Sequence, residues 1–178
     1  MTRLLVVTDF QNDFVCGSLG FPKALELENP IAEKIAAYRK SGDEIVFTLD
    51  THYPDYLNTQ EGRKLPILHC IKGTEGHKLY GKIAEMCLST DKVFEKTAFP
   101  CPELYDYLKG KSYESVEFVG LVSSICVISN AVLAKAALQE TEIIVDAKCT
   151  STFDESLNKK ALDVMDNLQI TIVNRDDL

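Results

Sequence analysis

The chain has 178 residues, 46% of them apolar, which is enough for one domain over residues 1–178 with a full hydrophobic core and no disulfide staples. A net charge of −8 leaves no basic surface for phosphates, which argues against nucleic acid or an anionic membrane as a partner. No apolar run approaches the length of a bilayer span.

The first apolar run, Leu4 to Thr8, reads as a buried strand that ends at Asp9, an aspartate too early for a secretion signal. The residues from Gln11 to Gly20 read as a glycine-containing loop. From Pro30 to Lys40 the apolar residues Ile31, Ile35 and Tyr38 lie about one turn apart and predict a helix, stopped by Ser41 and Gly42. Ile45 to Leu49 is the second strand, closed by Asp50. Thr51 to Gly76 is polar and without period, and a connection that long in a compact domain usually carries function. His77 to Leu88 predicts a short helix with His77 at its start and no assigned role. A third strand follows from Lys92 to Glu95, ending at Lys96, and Pro102 to Lys109 is a modest helix. Val116 to Leu121 is a fourth strand, after which two serines lead to Cys126 at the head of an alanine- and leucine-rich helix. A strand at Ile143 to Asp146, a helix from Glu155 to Leu168 and a strand at Ile170 to Val173 complete the chain, with Asp55 and Asp154 as turn or cap residues.

Strands alternating with helices predict a three-layer α/β/α fold with a mainly parallel sheet of about six strands. Sites in such folds form beyond the carboxyl ends of the strands. Asp9, Asp50, Lys96 and Cys126 each follow a strand, so the alternation puts all four on one rim. A thiol at a helix N-terminus is favoured as thiolate by the peptide dipoles. Asp9 between apolar neighbours is the candidate proton acceptor, and Lys96 is the ammonium that holds the charges. The competing readings are a small buried cysteine and an Asp–Lys ion pair without chemistry. A Cys–His pair needs a histidine, and His52, His69 and His77 all lie in one segment. There Asp50 and His52, two apart at a strand end, point the same way, His69 returns from the loop, and Glu61 lies between. Two imidazoles with one or two carboxylates suit one divalent ion, zinc foremost, iron or manganese otherwise; ordinary hydrogen bonds across the loop are the alternative. Six scattered cysteines (Cys16, Cys70, Cys87, Cys101, Cys126, Cys149), with no CxxC pair, suggest a reducing, cytoplasmic setting.

Five segments in order carry a resemblance: ValThrAspPheGlnAsnAspPhe at 7–14, LeuAspThrHis at 49–52, HisCysIleLysGlyThrGluGly at 69–76, GluLysThrAlaPhe at 95–99 and GlyLeuValSerSerIleCysVal at 120–127. With them the chain resembles the isochorismatase-like cysteine hydrolases, and within these the nicotinamidase/pyrazinamidase group. The resemblance implies a catalytic triad of Asp9, Lys96 and Cys126, and metal ligands Asp50, His52 and His69. A histidine found in many relatives falls near Asn58, so Glu61 is the candidate fourth ligand. It further implies a cis peptide at Leu121–Val122 and an oxyanion hole from the Val122 and Cys126 amides. Phe14 becomes the expected aromatic wall for a substrate ring, with Phe99 or Tyr105 less firmly placed. Relatives carry ThrAsp where this chain has Ser123 and Ser124, and many stack the ring on a tryptophan, which this chain lacks.

The implied activity is hydrolysis of the linear carboxamide of nicotinamide to nicotinate and ammonia, within NAD salvage in the cytoplasm. The metal would orient the pyridine ring. The rivals are a family amidase acting on a ureido or aliphatic amide, a non-catalytic small-molecule-binding relative, and a vinyl-ether hydrolase of the isochorismatase type, which lacks the cysteine and the metal loop. A small-molecule amide is the expected partner, and a homo-oligomer is an assembly the residues leave open.

Overall fold

The computed structural model describes residues 2–175. One six-stranded sheet runs through it, with strands β1 (Leu4–Thr8), β2 (Glu44–Asp50), β3 (Lys92–Lys96), β4 (Ser115–Leu121), β5 (Glu142–Ser151) and β6 (Thr171–Val173). Every pairing is parallel and the spatial order is β3-β2-β1-β4-β5-β6. The helices are α1 (Asn12–Val15), α2 (Pro22–Glu26), α3 (Glu28–Ser41), α4 (Gln60–Lys64), α5 (Gly81–Met86), α6 (Pro102–Leu108), α7 (Ile128–Ala137) and α8 (Glu155–Asn167).

Alternation within the strands makes the three layers. Leu4 and Val6 point into a core with Leu104, Ala131 and Leu162 of α6, α7 and α8. Leu5 and Val7 point the other way, into a core with Ile31 and Ile35 of α3 and Ile83 of α5. A strand covered on both faces must be apolar throughout, which is why β1 reads as an unbroken run. Among the described residues no helix is long and apolar enough to cross a membrane.

α3 begins two residues earlier than its period predicts and ends on Gly42 in the left-handed region (φ 73°), where the Gly42 and Asp43 amides donate to Arg39 and Tyr38 carbonyls. The segment 11–20, expected as loop, holds the single turn α1, too short for a period to show. The helix expected over 77–88 shrinks to α5, so His77 does not start it. Instead its Nε2 lies 2.8 Å from the Thr51 hydroxyl. The long connection after β2 contains a 3₁₀ turn (Tyr56–Asn58) and α4, held by the Thr59 hydroxyl, which accepts from the Gly62 amide. Asp154 caps α8 as expected, accepting from the Leu157 amide, whereas the Asp55 side chain makes no cap bond.

In this strand order the chain reverses direction of growth between β1 and β4, the point where open α/β sheets leave a crevice at the carboxyl end. Asp9 and the turn carrying Cys126 leave the sheet on the two sides of that gap. Two local devices shape it. Register jumps from Phe118 opposite Val145 to Gly120 opposite Thr150, a bulge in β5 after which the two strands pair again. Gly120 itself lies at φ 108°, and a Cβ there would come within 2.0 Å of the Thr8 carbonyl oxygen. Gly120→Ala is therefore expected to lower folding stability by about 3 kcal/mol or more, read from the midpoint of urea unfolding. A loss below about 1 kcal/mol would show that this close approach is not what the position requires.

Candidate active site

Asp9 is fully buried, and its backbone takes a positive φ of 46°, rare for a residue with a side chain. The conformation turns the carboxylate back over the sheet end. Its Oδ1 accepts from the Thr48 hydroxyl at 2.6 Å, and its Oδ2 lies 2.7 Å from Lys96 Nζ. Lys96, the last residue of β3 and 1% exposed, reaches across β2 with its amine. There it meets four groups: Asp9, Asp50 Oδ1 at 3.2 Å, the Ala98 carbonyl at 3.1 Å and Cys126 Sγ at 3.5 Å.

Cys126 sits in a π-helical turn, Ser123–Val127, that precedes α7 rather than at the first turn of a regular α-helix. The Leu121–Val122 peptide before it is cis. Asn130, buried one turn further on, donates to the Cys126 carbonyl at 2.8 Å and to the Phe99 carbonyl at 3.1 Å, while its Oδ1 accepts from the Cys101 amide. This fastens the cysteine turn to the loop after β3. Ser123 and Ser124 secure the other side: Ser123 Oγ donates to Asn158 of α8 at 2.6 Å and Ser124 Oγ to Thr152 at 3.1 Å.

Burial governs the electrostatics. It raises the Asp9 carboxyl above the ordinary range, with Lys96 pulling down and Asp50 adding to the rise. It also pushes the Cys126 thiol well up; Lys96 opposes that, and Asp9 and Asp50 reinforce it. Full desolvation therefore works against the helix-dipole preference for a thiolate, and a neighbouring proton acceptor is needed to offset it. Burial works against the Lys96 ammonium too, but Asp9, Cys126 and Asp50 together hold it charged. Asp9 therefore has enhanced proton affinity and is joined to the Cys126 sulfur through a shared cation.

Asp50 faces both ways. Its Oδ1 turns to Lys96, and its Oδ2 lies 3.0 Å from His52 Nε2 and 3.4 Å from His69 Nε2. Burial opposes ionisation of Asp50, yet bonds to the two imidazoles and the charge of Lys96 hold it well below the usual carboxylate range. Glu61 Oε1 stands 3.6 Å from His52 Nε2 and 3.8 Å from His69 Nε2. Donor atoms around one tetrahedral ion sit roughly 3.4 Å apart, so these separations fit a metal site. His69 Nδ1 lies 2.8 Å from the Ile67 carbonyl, so a neutral His69 with its proton on Nδ1 would turn the Nε2 lone pair toward a metal ion. Asp50, His52 and His69 form a buried cluster able to hold a metal ion. Tyr56 packs its ring 4.5 Å from His52 and 5.0 Å from His69 and bonds its hydroxyl to the Leu65 carbonyl, giving the loop a small core of its own.

Phe14 is 8% exposed with its ring 5.7 Å from that of His69, beside the cluster. Phe99 is 42% exposed, one residue beyond the carbonyl that holds Lys96. Tyr105 lies on α6 with Lys109 over its ring.

Besides Asn130, sequence reasoning passed over three further polar residues that build the site. Gln11 is buried and makes three bonds, donating to the Asp50 and His77 carbonyls and accepting from the Asp50 amide. Asp13 accepts from the Cys70 amide at 2.7 Å and so fixes the residue next to His69, itself at φ 47°. Thr48 holds Asp9. The available signal was a polar residue just after or within an apolar strand, where an unbonded polar group is costly.

The isochorismatase domain family model matches residues 3–177. Over 97% of its length the chain is 26% identical to a nicotinamidase of Saccharomyces cerevisiae, all of which is covered. A nicotinamidase/pyrazinamidase from Bacillus subtilis superposes with a TM-score of 0.85 at 26% identity, covering 97% of this chain and 99% of that one. N-carbamoylsarcosine amidase from Thermoplasma acidophilum does so with a TM-score of 0.79 at 29% identity, covering 97% and 95%.

Removing one imidazole of the cluster tests its capacity for metal without reference to any reaction. His69→Ala is expected to weaken zinc binding by about 10²-fold or more, measured by competition with a chromophoric chelator. Equal affinity in the variant and the parent would separate His69 from the metal site.

Proposed function

The chain belongs to the isochorismatase family, and on that premise we propose that it is an amidohydrolase converting nicotinamide to nicotinate and ammonia through a thioester on Cys126. The observation that carries the proposal is the meeting of Asp9, Cys126 and Asp50 on one buried ammonium, with the Asp50, His52 and His69 cluster on the far side of Asp50. A proton acceptor, a nucleophile and a candidate ring anchor then lie within one crevice. The likeness to nicotinamidases along nearly the whole chain supports the same reading.

In the proposed mechanism Asp9 takes the Cys126 proton as sulfur attacks the carboxamide carbon, and Lys96 offsets the charge that moves between them. The Val122 and Cys126 amides receive the carbonyl oxygen as it becomes anionic. The C–N bond then breaks, Asp9 returns the proton to nitrogen, and ammonia leaves. Water attacks the thioester with one proton passing to Asp9; the C–S bond breaks, Asp9 gives that proton to sulfur to restore the thiol, and nicotinic acid leaves and releases its remaining proton to solvent as nicotinate. A divalent ion held by Asp50, His52, His69 and Glu61 would supply a Lewis-acidic contact for the pyridine nitrogen. Phe14 lies against His69 and forms one wall for the ring.

The likeness to N-carbamoylsarcosine amidase favours a second reading, a ureido amide as substrate. Ammonia release across nicotinamide, pyrazinamide, N-carbamoylsarcosine and aliphatic amides separates the two. Activity confined to the ureido compound would reject the nicotinamide assignment. Cys126→Ala is expected to bind nicotinamide, seen by calorimetry, while turnover falls by about 10⁴-fold or more. Turnover retained in that variant would exclude the thioester route.

A further inference from the structure

We infer that Thr48 is a positioning residue for Asp9, selecting which carboxylate oxygen exchanges the proton with Cys126. Thr48 lies on β2 and is fully buried. Its hydroxyl donates to Asp9 Oδ1 at 2.6 Å, and its carbonyl accepts from the Asp9 amide at 3.1 Å. One residue thus grips both the backbone and the side chain of Asp9, which is held at a positive φ.

The consequence follows from counting protons and lone pairs. A threonine hydroxyl has one proton, and here it is committed to Oδ1. Oδ2 takes no bond from Thr48 and lies 2.7 Å from Lys96 Nζ, whose amine also reaches Cys126 Sγ. The proton arriving from sulfur is therefore taken at Oδ2, and Oδ1 stays an acceptor throughout. A β-branched side chain has a restricted χ1, so the donor does not wander. Without the hydroxyl the carboxylate is free to turn about Cβ–Cγ, and either oxygen competes for Lys96. A hydroxyl on an interior strand costs folding energy unless bonded, and Asp9 is its partner.

This inference rests on the amidohydrolase reading, and its test keeps the two apart. Thr48→Val preserves shape and removes the donor. It is expected to lower kcat on nicotinamide on the order of 10²-fold with KM within about threefold. Thr48→Ser restores the donor and is expected to return kcat to within about fivefold of the parent. A kcat near the parent value in Thr48→Val, or a loss in Thr48→Ser as deep as in Thr48→Val, overturns the role, the latter because it makes the methyl group the cause. Should Thr48→Val not fold, Thr48→Ala against Thr48→Ser carries the same comparison. A substrate-free readout is alkylation of Cys126 by iodoacetamide at neutral pH, located by peptide mapping, which Thr48→Val is expected to slow roughly tenfold. A parent protein inactive on nicotinamide but with slowed alkylation in Thr48→Val loses the substrate reading and keeps the Thr48 role. An active parent with unchanged alkylation in Thr48→Val loses the role alone.

Discussion

The site depends on a single buried ammonium. Lys96 is almost wholly removed from water, and a lone charge in that position costs several kcal/mol even after relaxation. It is retained because Asp9, Asp50 and the Ala98 carbonyl surround it. The arrangement is not neutral: one cation faces two carboxylates. Asp50 relieves the excess by presenting its second oxygen to His52 and His69, where a divalent cation fits the donor spacing. Electrostatics therefore ties the two halves of the crevice together through one aspartate. The Asp50, His52 and His69 cluster and the cysteine are parts of one charge network, and each sets the field around the other.

Fold geometry decides where that network can form. The reversal of strand order between β1 and β4 opens a gap at the carboxyl end of the sheet, and the chain leaves β1 and β4 on either side of it. Placing Asp9 there takes a backbone conformation that costs on the order of 1 kcal/mol or more, and Cys70 beside His69 takes another. Hydrogen bonds from elements far apart in sequence hold these positions. Thr48 grips Asp9, Asp13 grips Cys70, and Gln11 anchors the end of β2. Strain at the rim is thus supported by these bonds.

Much of this was legible in the residues. Buried parallel strands announce themselves as continuous apolar runs, and β1, β2 and β4 were placed to within a residue or two for that reason, while the edge strand β3 shows only the pair Val93 and Phe94. The rule that such strands deliver polar groups to one rim then brought Asp9, Asp50, Lys96 and Cys126 into one crevice before any coordinates. α1, α2 and α4 escaped because four or five residues carry too little period to read. β5 was seen only in its first half, since the register jump inserts Lys148 and other residues that break the apolar pattern. The burial of the Cys126 sulfur was not legible, because desolvation depends on what the rest of the chain packs around it. Gln11, Asp13, Thr48 and Asn130 were missed because their partners lie about 30 to 60 residues away.

The central claim, that one buried cation makes the acid and the thiol into a working pair, is tested most directly by Lys96→Met, which keeps the length of the side chain and removes its charge. Steady-state hydrolysis of nicotinamide by the folded variant, matched to the parent by circular dichroism, is expected to fall by about 10³-fold or more. Turnover within about tenfold of the parent would contradict the account, since Asp9 and Cys126 would then work without the charge that joins them.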